Sequence, residues 1–169
     1  MSSSARRRSA ARLAAVQALY AVAVGDSRLD DVLKALLEGR LGGEALADIP
    51  DPEGVFEPRE EARSLVPFDS AFLILLARGA EAERARLDET IDACLTGDWS
   101  PARLEALVRA ILRVAVFEMT AVDEVPPKVT VTEYVAIADA FYEGAEARLV
   151  NAVLDRVGRE IHPEAFAAR

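Results

Sequence analysis

The 169-residue sequence predicts an all-α protein, and three observations point to it. Alanine, leucine, arginine and glutamate dominate, residues that lose little on entering a helix. The β-branched and aromatic residues that favour strands are scattered. Apolar residues recur at three- and four-residue steps, and no alternating apolar–polar run is bounded by hairpin-turn dipeptides.

The first stripe is Leu13, Val16, Leu19, Tyr20 and Ala23, an amphipathic helix that starts just after the arginines and ends near Gly25. Asp26 or Ser27 is placed to cap a second, shorter helix through Val32, Leu33, Leu36 and Leu37, which Gly39, Gly42 and Gly43 stop. Residues 38–61 hold Pro50, Pro52, Pro58 and Gly54, with eight acids against two arginines. Too few apolar side chains are present to offset the entropy of ordering, so 39–66 reads as a flexible acidic insertion.

Asp69 should cap a long helix through Phe72, Leu73, Leu76, Ala80, Leu87, Ile91 and Cys94, ending at Gly97. Ser100-Pro101, a cap followed by proline at the first helical position, opens the next, lined by Leu104, Val108, Ile111, Ala115 and Met119. Val125-Pro126-Pro127 ends it, because consecutive prolines remove two donors. Thr130 and Glu133 then have capping-box spacing, ahead of a stripe of Val131, Tyr134, Val135, Ala138 and Phe141. After Gly144 a last helix carries Leu149, Val150, Val153, Leu154 and Val157, to about Gly158. No internal repeat appears, so the expectation is one domain over 1–169 with about six to seven helices.

Charge is unevenly spread. Lysine and arginine number 20 against 29 acids, a net charge of -9. Residues 1–13 hold Arg6, Arg7, Arg8 and Arg12 with no acid, a local +4, so the rest carries -13. A basic arm (1–12) on an acidic body is the asymmetry of a polyanion contact on an otherwise repelling surface. Guanidinium forks suit phosphates and stack on unpaired bases, and each neutralised phosphate releases counterion. Tyr20, Phe141 or Tyr142, if exposed, could stack a base for about 1–3 kcal/mol.

Several function classes are excluded or disfavoured. A single cysteine rules out an internal disulfide framework and a cysteine zinc cluster, and fits a reducing compartment. No run approaches about 18 apolar residues, so no membrane span is expected. Arg12 and Gln17 interrupt the first apolar stretch, which lacks a cleavage pattern, so the expected location is cytoplasmic. There is no phosphate-binding GxxxxGK[ST] loop, no GxGxxG turn and no GxSxG elbow. Cys94 falls on an apolar stripe, and His162 is a lone, solvated-looking terminal histidine. Glu60-Glu61 and Asp30-Asp31 are adjacent acids that diverge by about 100 degrees on a helix. The expectation is a non-enzyme that needs no metal or cofactor.

Four pieces in order resemble the NusB family of transcription antitermination factors. They are Arg8 through Tyr20, with the run Ala15-Val16-Gln17-Ala18-Leu19-Tyr20; Ile111-Leu112-Arg113-Val114-Ala115-Val116-Phe117-Glu118; Val125-Pro126-Pro127-Lys128-Val129 leading to Glu133; and Leu149-Val150-Asn151-Ala152-Val153-Leu154-Asp155. The resemblance implies two small helical bundles packed across each other. It implies binding of the boxA element of single-stranded leader RNA, chiefly in ribosomal RNA operons, together with NusE, a small-subunit ribosomal protein. It implies that the complex makes RNA polymerase read past terminators. It further implies RNA contacts by Arg6, Arg7, Arg8 and Arg12, by Tyr20 and Phe141, and by Arg113 and Arg148. Where the family often has Ser-x-x-Phe-Val-Asn-Gly, this chain has Glu146-Ala147-Arg148-Leu149-Val150-Asn151-Ala152. Leu149 does not stack as an aromatic would, and Glu146 adds repulsion beside a phosphate path. Two other readings compete: a helper domain for a ribosomal RNA methyltransferase, and a helical interaction module, compatible with a homodimer, that binds no RNA.

Overall fold

Residues 3–40 and 67–167 are described by a computed structural model. Among them are eight α-helices, a 3-10 turn at Pro101–Arg103 and no strand. In chain order the helices are α1 (Ser3–Val24), α2 (Leu29–Leu37), α3 (Ser70–Ala82), α4 (Arg84–Ala93), α5 (Ala106–Ala121), α6 (Pro127–Phe141), α7 (Ala145–Ile161) and α8 (Pro163–Phe166). The all-α expectation holds. Most of the acidic insertion, residues 41–66, lies outside the described residues.

The architecture follows from α5. Every residue from Ala110 to Met119 is buried, so this helix is surrounded rather than half-covered. Helices α1, α2 and α3 pack on one another, α6, α7 and α8 do the same, and α5 touches both groups. The apolar stripes read from sequence supply the shared core, with Val16, Leu73, Leu76, Ile111, Val150 and Leu154 among its fully buried members.

Several boundaries differ from expectation, each for a local reason. Helix α1 starts at Ser3 and takes in the arginines, so the basic arm is helical; alanine and arginine are strong helix formers. Arg28, not Asp26 or Ser27, occupies the cap position of α2, with extended backbone and no side-chain cap; Asp30 and Asp31 in the first turn complement the helix dipole instead. The helix ends at Gly39, whose φ of 69° is a left-handed stop, with its N–H donated to the Leu36 carbonyl and that of Arg40 to Ala35. Asp69 does cap α3, accepting from the Phe72 N–H at 3.1 Å. The long helix expected after it is interrupted at Glu83, which lets α3 lie on α1 while α4 reaches α7.

Pro101 opens only the 3-10 turn. Leu104 is extended and packs on the core, and α5 begins two residues later. Pro127 takes the first position of α6, as its fixed φ favours, so Thr130 is buried in the second turn and is not the cap. Helix α7 runs past Gly158 to Ile161, and a proline-initiated α8 follows. The eighth helix and the split at Glu83 raise the count above six to seven. His162 is half-buried rather than free in solvent: its Nε2 donates to the Met119 carbonyl at 2.9 Å. Cys94 is buried as expected, and burial pushes its thiol above the usual pKa.

One close approach has a measurable consequence. A Cβ built on Gly79 of α3 would lie 1.9 Å from Cζ of Phe117, which is itself buried in α5. Gly79→Ala should therefore destabilise by about 1–3 kcal/mol through overpacking. Adding Phe117→Leu should return part of that loss, as urea unfolding of the single and double variants would measure.

Candidate nucleic-acid interface

The four N-terminal arginines divide into two pairs with different surroundings. Arg6 and Arg7 are exposed, and neither side chain has an ion pair or hydrogen bond among the described residues. Arg8 and Arg12, one turn apart at i and i+4, turn inward. Both guanidinium groups lie over the Phe72 ring, at 4.9 and 5.3 Å from its centroid. Arg8 donates to Glu124 at 2.8 Å and lies 4.0 Å from Asp69.

Arg12 is 4% exposed. Its Nε and Nη2 donate to the Glu118 carboxylate at 2.6 to 3.1 Å, and Nη1 is 3.5 Å from Glu133. The Tyr134 hydroxyl donates to the same Glu118 at 2.7 Å. Burial alone would lower the Arg12 pKa, but Glu118 outweighs it and the net shift is upward. Burial, then the Glu118 charge, pushes the Tyr134 phenol well above its usual range, so it stays a neutral donor. A guanidinium in this state has no free donor face for a phosphate. Arg12, expected on the RNA, is therefore reassigned to the scaffold.

Arg113 is reassigned for the same reason. It is 8% exposed and holds Asp88 of α4 bidentately, at 2.8 and 2.7 Å. Arg109, one turn earlier, donates to Asp88, Asp92 and the Pro101 carbonyl. Burial pushes the Asp88 carboxyl up, and Arg113 and Arg109 more than reverse that, holding its pKa below the usual carboxylate range. This network fastens α4 and the 3-10 turn to α5.

The remaining expected residues are at the surface. Tyr20 is 39% and Phe141 43% exposed, and Arg148 is exposed with its guanidinium beside Gly144. At the C-terminal end of α6, Tyr142 donates to Glu105 at 3.0 Å, and its pKa is raised by burial, Glu105 and Glu146, with a smaller contribution from Tyr20 of α1. Helical spacing puts Arg6 about 21 Å from Tyr20 along α1 and within about 40 degrees around it. Leu149 is in the core, so it offers no stacking surface.

Sequence reasoning missed the holding groups Glu118, Glu133, Asp69 and Phe72. A signal was present. Glu118 is an acid inside an otherwise apolar run, and a buried carboxylate needs a cation partner. Likewise, Asp88 and Asp92 match the four-residue spacing of Arg109 and Arg113.

Among the described residues no three His, Cys, Asp or Glu side chains are grouped to hold a metal, and no helix is long and apolar enough to cross a membrane. What the geometry presents is a helical scaffold with cationic and aromatic groups exposed along one helix and beside its end. The NusB family sequence model matches residues 9–159. The transcription antitermination protein NusB of Rhodospirillum rubrum is 53% identical over 161 residues, covering 95% of this chain and 87% of the relative. That of Rhizobium johnstonii is 40% identical over 160 residues, covering 95% and 91%. A solved structure of T. maritima NusB superposes with a TM-score of 0.67 at 25% identity, covering 94% of this chain and 96% of the other. The chain belongs to the NusB family of transcription antitermination factors.

Proposed function

We propose that this antitermination factor binds boxA RNA, a single-stranded leader element of ribosomal RNA operons, jointly with NusE, and that the pair acts within the RNA polymerase antitermination complex. The observation that carries the reading is the pair Arg6 and Arg7, exposed and without ion-pair partners among the described residues, on a chain whose remainder is strongly acidic. Such a body repels a polyanion over every surface except its cationic end. Toward the far end of α1, Tyr20, Phe141 and Arg148 add two exposed rings and a third guanidinium, the combination that grips unpaired bases and their phosphates. A basic second protein is attracted to the acidic body and lengthens the cationic track, which accounts for a two-protein RNA reader.

The test is a gel shift with boxA RNA and a scrambled control, with and without NusE, across a salt series. The protein alone should prefer boxA weakly and lose affinity steeply as salt rises, and NusE should strengthen binding. Equal binding of both RNAs removes boxA recognition. Binding by the protein alone as tight as by the pair removes the division of labour.

A further inference from the structure

We propose that Arg12 is a positioning residue for RNA binding: its buried fork holds the first turns of α1 in the helical geometry that presents Arg6 and Arg7 to the phosphates. The inference rests on the RNA-binding reading above.

The first turns of α1 are poorly suited to be helical by themselves. The leading N–H groups of a helix have no partners within it. The first turn of α1 contains no acid to complement the dipole, and three arginines follow, placing positive charge at the positive end. A helix end so composed should fray. It is held instead from outside, at two levels one turn apart. At the upper level the Asp69 N–H donates to the Arg7 carbonyl at 3.1 Å, and Arg8 reaches Glu124 and the Phe72 face. Arg8 and Glu124 are partly exposed, and such pairs contribute little. At the lower level Arg12 is buried, bonded to Glu118 by three N–H···O contacts, close to Glu133 and against the same ring. Glu118 is on α5, Glu133 on α6 and Phe72 on α3, so one side chain ties α1 to three other helices. Arg6 and Arg7 stand less than two turns before this anchor. Their order, and with it the entropy lost on meeting RNA, depends on it.

The double variant Arg12→Leu/Glu118→Leu separates positioning from stability, because removing both charges leaves no buried ion unpaired. With the chain folded by circular dichroism, boxA affinity should fall about tenfold through lost preorganisation, and amide exchange at Arg6 to Ala10 should quicken. The slope of log affinity against log salt should stay unchanged, since Arg12 touches no phosphate. A slope shallower by about 0.7 would make Arg12 a phosphate contact, and unchanged affinity would remove any positioning role; either overturns the proposal. Tyr134→Phe, which deletes only a hydroxyl that orients Glu118, repeats the test should the double variant not fold. Its affinity should fall a few-fold at constant slope, and an unchanged affinity would overturn the proposal equally. If the unmodified protein binds no single-stranded RNA, the functional reading itself fails and takes this inference with it. Binding by the unmodified protein that the variants match sinks the inference alone.

Discussion

Glu118→Leu should cost about 3–5 kcal/mol of folding stability. Glu118 is fully buried and accepts from both Arg12 and Tyr134. Leucine would leave the Arg12 cation inside the protein with only the more distant Glu133 carboxylate, 3.5 Å away, and strand the Tyr134 hydroxyl. The cost comes from the uncompensated groups, not from the gross strength of the pair. Adding Arg12→Leu should therefore recover the part of the loss that comes from the unpaired cation, because an apolar pair needs no desolvation of charge, while the Tyr134 hydroxyl stays stranded. Urea unfolding of the two single variants and the double variant checks this. If the double variant loses as much as the two single variants summed, the ion pair is not the coupled element described.

Arg6→Ala/Arg7→Ala should have the opposite character, with little effect on stability and a large one on RNA. Neither side chain has an ion pair among the described residues, so unfolding free energy should stay within about 0.5 kcal/mol. Removing two cations from the positive end of α1 would even ease its dipole. RNA binding should lose two released counterions, lowering the salt slope by about 1.4 for a single strand. Affinity near physiological salt should drop about tenfold or more. A salt series on boxA RNA by fluorescence anisotropy measures both. Unchanged affinity and slope would favour a helical interaction module that binds no RNA.

The contrast between these two pairs of arginines marks what was legible in the sequence. Periodicity located the stripes because burial of Val16, Leu73, Ile111 and Leu154 follows helical spacing directly. The Asp69 cap was equally plain, since one short acceptor satisfies one orphan N–H. The interruption at Glu83 was not legible, as no proline or glycine marks it and the apolar stripe continues across it. The displaced start of α6 was misread because two local signals competed, Pro127 at a first position and Thr130 at a cap, and the proline won. For the site, composition located the cationic end but could not tell a solvated arginine from a buried one. That distinction is tertiary: Arg12 turns inward because Glu118, more than a hundred positions away, waits in the core. Arg113 turns inward to Asp88 in the same way.

Photo-crosslinking of boxA RNA to the intact protein, with the attached residues read by mass spectrometry, tests the central claim most directly. Attachments should fall along the outward face of α1 near Arg6, Arg7 and Tyr20, and at Phe141 and Arg148 beside its end. Attachments confined to the α2–α3 surface around Asp30 and Arg78, or none at all, would contradict it.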